Sequence, residues 1–85
     1  MIVRHINESL KDRKIEDPNG NWNSVRMLLK DDGMGFSFHI TTIYANSSMK
    51  MHYINHLESV YCISGSGTIK DIKTNQDHKI EPGVI

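Results

Sequence analysis

The sequence predicts an all-β domain, a sandwich or barrel of short antiparallel strands. Three observations carry this. Apolar and polar residues alternate with period two through several stretches, as half-buried strands require. Those stretches are rich in β-branched and aromatic residues, as in Phe36-Ser-Phe-His-Ile-Thr-Thr-Ile-Tyr44 and Leu57-Glu-Ser-Val-Tyr-Cys-Ile63. Clusters of Gly, Pro, Asn, Asp and Ser separate them at the spacing of an all-β fold.

Residues 1–6 read as a short β-rich start. Residues 7–13 allow a helical turn but carry no convincing apolar stripe. Asp17-Pro-Asn-Gly-Asn21 is dense in turn formers and predicts a loop. Residues 22–30 are expected to form a strand, with Trp22, Ser24, Arg26 and Leu28 on one face and Val25, Met27 and Leu29 on the other. A turn follows over residues 31–35. Residues 36–45 have the strongest strand pattern, with Phe36, Phe38, Ile40, Thr42 and Tyr44 on one face and Ser37, His39, Thr41 and Ile43 on the other.

Asn46-Ser-Ser48 breaks that strand, and residues 49–54 are strand-like again. Residues 57–63 are expected to form a strand that places Glu58, Val60 and Cys62 on a common face. Gly65-Ser-Gly67 reads as a hairpin turn with residues 68–72 as its return strand. Residues 73–77 read as a polar turn, 78–80 as a short strand and Pro82-Gly83 as a turn. Val84 and Ile85 look like the opening of another strand. An open sheet edge is a liability that complete β-proteins cover, so the expectation is one incomplete domain over residues 1–85.

Composition narrows the function. A chain of 85 residues with 38% hydrophobic residues closes only a marginal core. Ten basic and ten acidic residues cancel, so neither a nucleic-acid nor an anionic-membrane partner is expected. There is no long apolar run and no signal-peptide pattern at the start, and a cytoplasmic protein is the simplest expectation. Cys62 is the single cysteine, which excludes an internal disulfide. No Ser-His-Asp ordering, phosphate-cradling Gly loop or zinc cysteine pair is present.

The chemistry-bearing residues cluster in the second half. On a strand face shared with apolar neighbours, the Glu58 carboxylate must be paired, hydrogen-bonded, protonated or metal-bound. The spacing His52-x-x-x-His56-x-Glu58 permits iron, zinc or manganese. Such clusters are also hydrogen-bonded structure in many proteins, and spacing alone does not choose. His5 and His78 read as surface residues, His52 and His56 as pocket-wall groups, and Cys62 as a small buried side chain.

Wider spacing adds a frame. Five residues separate Asn46 from His52, and six separate Glu58 from Gly65. His52, Glu58 and Gly65 thereby resemble the first motif of the cupin family. Asn46 stands where that motif has its first Gly, and Ile54 where it has its second His. Glu81-Pro-Gly83 resembles the start of the second motif. Longer runs are more specific: Trp22-Asn-Ser-Val-Arg26, Leu28-Leu-Lys-Asp-Asp-Gly-Met-Gly-Phe-Ser-Phe-His39, Thr41-Thr42 and Tyr53-Ile-Asn-His-Leu-Glu-Ser-Val-Tyr-Cys62. These resemble ectoine synthase, an unusual cupin subgroup, and the resemblance runs from Met1 to Gly83. Asn46, Lys50 and Ser64 depart from the commoner residues at their places.

The resemblance implies a cupin-type β-barrel or jelly roll, of which this chain is the N-terminal part. It implies cyclocondensation of N-gamma-acetyl-L-2,4-diaminobutyrate to ectoine with loss of water, a hydro-lyase reaction making a compatible solute for osmotic stress. It implies iron(II) held by a Glu, a Tyr and a His, acting as a Lewis acid on the carbonyl. Only the Glu maps here, onto Glu58; the Tyr and His positions fall beyond Ile85, so iron occupancy is not expected to be complete. Trp22, Arg26, Thr41, Tyr53 and His39 would contact the small-molecule substrate, and the family forms homodimers.

Each of these residues has a plainer reading. Trp22 suits a core, Arg26 a solvated strand face, Thr41 any strand, Tyr53 a sheet edge, and His39 would by default face water. The competing functional reading is a non-catalytic cupin fragment or paralogue that binds a small zwitterion or only dimerises. An unrelated β-barrel with a structural Glu58 is the third.

Overall fold

The computed structural model describes residues 1–52, 54, 55 and 57–85. They divide into two units, Met1–Lys50 and Met51–Ile85.

The first unit is an antiparallel three-stranded sheet with one helix. Helix α1 (Ile6–Asp12) begins where the His5 side chain accepts a hydrogen bond from the Asn7 amide at 3.1 Å. Glu8 lies in its first turn and Lys11 in its last, each at the helix end its charge favours. The expected β-rich start over residues 1–6 is therefore corrected. His5 caps a helix, and Arg4 turns its side chain onto residues 27 and 32 instead of offering a ladder.

Strand β1 (Lys14–Glu16), too short and charged to show in the sequence pattern, pairs with β2 (Trp22–Leu28), which pairs with β3 (Phe38–Ile43). The β1–β2 turn forms as its residues predict. Asp17 accepts from the Asn19 and Asn21 amides with its two carboxylate oxygens, both at 3.1 Å, and Gly20 supplies a φ of 76°. Between β2 and β3, a 3-10 turn (Lys30–Asp32) ends at Gly33 with φ 73°.

The register runs Trp22↔Ile43, Ser24↔Thr41, Val25↔Ile40 and Arg26↔His39, then shifts before Leu28↔Phe38. Directly paired residues share a face. The shift thus moves Leu28 to the face of Val25, Ile40 and Phe38, correcting its expected place beside Trp22 and Arg26. Val25 is the one buried apolar residue among those described, at 3% exposure. On this face Tyr44 ties the three-stranded edge together, accepting from Asn23 at 2.8 Å and donating to Glu16 at 2.9 Å. The Lys14 ammonium and then the Tyr44 hydroxyl hold the Glu16 carboxyl below its ordinary range.

The second unit contains the hairpin of β4 (Gly67–Asp71) and β5 (Gln76–Ile80). Its turn lies over residues 72–75, with Asp71 accepting from the Lys73 amide at 3.0 Å and Asn75 at φ 59°. Gly65-Ser-Gly67 is consequently not a hairpin turn; β4 pairs forward with β5. Nor do residues 57–63 form a strand. Only Cys62 is clasped by backbone, donating to the Val84 carbonyl at 2.9 Å and accepting from the Gly83 amide at 3.0 Å. β propensity needs a neighbouring strand to act on, and Leu57, at 100% exposure, pairs with no strand among the described residues. The described residues of the expected strand 49–54 are likewise irregular.

Candidate functional site

The β2–β3 register assembles a polar sheet face from residues far apart in sequence. Trp22, Ser24 and Arg26 alternate along β2, and Ile43, Thr41 and His39 stand opposite them on β3. Trp22, Arg26, Thr41 and His39 are thus brought to one face. Strand rise places Trp22 and Arg26 about 13 Å apart, with cross-strand neighbours about 5 Å away.

Each position has a local cause. Trp22 opens β2 directly after the Asp17 turn and is half-buried. Ser24, missed as a site residue by sequence reasoning, is buried at 4% exposure and accepts a hydrogen bond from Thr41 at 3.1 Å. The period-two pattern did place Ser24 on this face, but only the β3 register shows its partner. With its proton on Ser24, Thr41 turns acceptor lone pairs to the open side, where a ligand N–H can use them. Thr41 and His39 are exposed.

Arg26 is half-buried, and its Nε is buried without a hydrogen-bond partner among the described residues. An unsatisfied buried guanidinium nitrogen is costly, and a carboxylate ligand is the acceptor that suits its fork. The opposite face carries an apolar hollow of about 220 Å³ lined by Ile2, Arg4, Met27, Leu28, Phe38 and Ile40. Its sole charged group, Arg4, is already engaged by Asp32, so the hollow is poorly suited to a zwitterion.

In the second unit Glu58 and His52 are exposed, and Glu58 lies in the irregular run rather than on a strand. Cys62 is half-buried, not fully buried, with Sγ 3.4 Å from the Ser64 carbonyl oxygen. His5 and His78 are exposed as expected. The readings on Tyr53 and His56 lie outside the described residues. Among the described residues no three His, Cys, Asp or Glu side chains come together as a metal site. Among the described residues the donor set does not fit iron, since one carboxylate does not hold it tightly.

Antiparallel strands and a polar sheet face define the class as an all-β protein, and the family that matches it makes it one of cupin type. Comparison with known families is more specific. The ectoine synthase family matches residues 1–85. The chain is 56% identical to the L-ectoine synthase of Marinomonas sp. (strain MWYL1), covering 100% of this chain and 67% of that protein. Against the L-ectoine synthase of Hyphomonas neptunium it is 57% identical, covering 62% of that protein. Against that of Teredinibacter turnerae the figures are 55% and 65%. This chain belongs to the ectoine synthase family, and it spans a little under two thirds of the length of most of these relatives.

The family frame also accounts for Asn46. It sits at φ 59°, in the left-handed region that favours Gly. Asn is the residue that best tolerates that region after Gly, so the departure keeps the backbone.

Proposed function

We propose that this chain supplies the substrate-gripping face of an L-ectoine synthase. The reaction closes N-gamma-acetyl-L-2,4-diaminobutyrate into ectoine. The free alpha-amine nitrogen bonds to the acetamide carbonyl carbon, and the carbonyl oxygen leaves as water. Arg26 takes the substrate carboxylate in its fork, Thr41 accepts an amine or amide N–H, and Trp22 provides a flat apolar wall. Holding the chain folded makes the attack intramolecular in geometry as well as in connectivity. His39 flanks Arg26, and Tyr53 is the fifth contact by resemblance.

The observation that carries this reading is the common face of Trp22, Arg26, Thr41 and His39, with the Arg26 Nε buried and unpartnered among the described residues. Glu58 is the one iron ligand the chain would contribute, and no step is routed through the metal. The remaining parts of the reading follow the same resemblance: a homodimer, located in the cytoplasm, making a solute against osmotic stress. Among the described residues no helix is long and apolar enough to cross a membrane.

The test is calorimetric titration of the chain with N-gamma-acetyl-L-2,4-diaminobutyrate. Binding that weakens roughly tenfold or more in Arg26→Ala is expected for a lost charge-assisted fork. Undiminished binding in that variant, or none in the unaltered chain, refutes the reading. Chromatographic assay for ectoine with added ferrous iron then separates catalysis from binding alone.

A further inference from the structure

Three charged residues, Arg4, Arg13 and Asp32, converge at the backbone of Arg26 and Met27. The Asp32 carboxylate takes Arg4 in a fork, Oδ1 to Nη2 at 2.8 Å and Oδ2 to Nη1 at 3.0 Å. Its Oδ2 also accepts from the Leu29 amide at 2.9 Å and lies 3.5 Å from Arg13 Nη2. The Asp32 side chain is only 15% exposed. The two arginines do not stop at Asp32. Arg4 donates to the Met27 carbonyl at 2.9 Å, and Arg13 Nε donates to the Arg26 carbonyl at 2.6 Å. The Arg26 amide in turn donates to the Arg13 carbonyl at 2.9 Å.

The Arg26 carbonyl faces β1 beside its own amide, where the Arg13 amide is taken by the Ser9 carbonyl, and the Met27 carbonyl lies where the β2–β3 register shifts, between Arg26 and Leu28. An irregularity of this kind bends the strand and re-aims the neighbouring side chain. Carbonyls left without a ladder donor need another, and here two guanidiniums provide it. Two guanidiniums so close repel unless a carboxylate lies between them. Asp32 is that carboxylate.

We propose that Asp32 is a positioning residue: through Arg4 and Arg13 it holds the carbonyls of residues 26 and 27, and so sets the aim of the Arg26 guanidinium. The consequence for ligand affinity rests on the substrate reading above; the consequence for Arg26 itself does not. A purely structural Asp32 would change stability and leave the Arg26 side chain where it is in the folded protein. A positioning Asp32 moves it.

The test uses the full chain labelled with nitrogen-15. The Arg26 Nε–Hε resonance is identified by its loss in Arg26→Lys. In Asp32→Asn that resonance is expected to shift, and binding of N-gamma-acetyl-L-2,4-diaminobutyrate to weaken about tenfold. Adding Arg26→Ala should remove the effect of Asp32→Asn on binding, because groups acting through one another are not additive. An unmoved Arg26 resonance in folded Asp32→Asn, or additive losses in the double variant, overturns the proposal. Should Asp32→Asn lose its fold by circular dichroism, Arg13→Lys replaces it. That variant keeps the positive charge, removes the Nε donor to the Arg26 carbonyl, and is judged by the same outcomes. If the unaltered chain does not bind the diaminobutyrate, the substrate reading fails, and the resonance alone decides the role of Asp32.

Discussion

The two units of this chain contain the same kind of sequence and hold it in different ways. In Met1–Lys50 each strand has a partner, and one strand has two. Val25, Ser24 and Ser9 are buried there, and Asp32 joins three segments. In Met51–Ile85 a single hairpin stands beside an irregular run, and none of its described residues is buried. A lone two-stranded hairpin is marginal in water, whereas a third strand and a packed helix make a sheet self-supporting. The difference teaches that alternation becomes a strand only where an edge is available to pair with it. Residues 57–63 alternate as well as 38–43 do, yet among the described residues only 38–43 pair into a ladder.

The largest test of this contrast is a buried charge. Val25→Asp places an unpaired carboxylate at a 3%-exposed position. It should cost about 3 kcal/mol or more and abolish the cooperative change in Trp22 fluorescence. Ile69→Asp, at an exposed site of the hairpin, should change stability by no more than about 0.5 kcal/mol. Equal losses from the two substitutions would break the comparison.

Acid comes next. The Arg4 fork, the Leu29 amide and the nearby charges hold the Asp32 carboxyl down to about 2 from an ordinary 3.8. The unfolded chain therefore takes up this proton first as pH falls. The stabilisation is fully present above pH 3.8 and is lost as pH drops through about 2. Trp22 fluorescence should follow that loss, and Asp32→Asn should remove its pH dependence in this window. A titration unchanged by Asp32→Asn would assign acid sensitivity elsewhere. Asp71 is also held below its ordinary range, chiefly by Thr74, but it closes an exposed turn and should report only on the hairpin.

Smaller effects sharpen the picture. Gly33 ends the 3-10 turn that carries Asp32 at φ 73°, with open space where a Cβ would go. Gly33→Ala should therefore cost about 1 kcal/mol from backbone strain alone, measured by urea unfolding of the first unit. Asn46→Gly should lie within about 0.5 kcal/mol of the unaltered chain, because φ 59° suits both residues. A large loss there would mean that the Asn46 side chain, and not its backbone, is what matters.

Much of the first unit was legible in advance. The Asp17 turn, the β2 and β3 strands and the shared face of Trp22, Ser24 and Arg26 all follow from chemistry within a few residues. So does the opposing set His39, Thr41 and Ile43, since alternation fixes which residues share a face once a strand exists. What escaped was the β1 strand, whose three residues carry no periodicity, and the histidine cap that starts the helix at residue 6, one residue before the helical turn allowed over residues 7–13. The Gly65 turn was assigned the wrong role because a turn signal does not say whether its first flank has a ladder.

Residue types and spacing by themselves determined the Asp17 turn, the faces of β3 and of β2 up to Arg26, and the membership in the ectoine synthase family. Only the tertiary structure decided that Thr41 meets Ser24, that Leu28 crosses to the Val25 face, and that Arg4 and Arg13 converge on Asp32. The reason is range: turns and alternation are settled by neighbours, whereas register and ion-pair geometry depend on groups many residues away that pairing alone brings together.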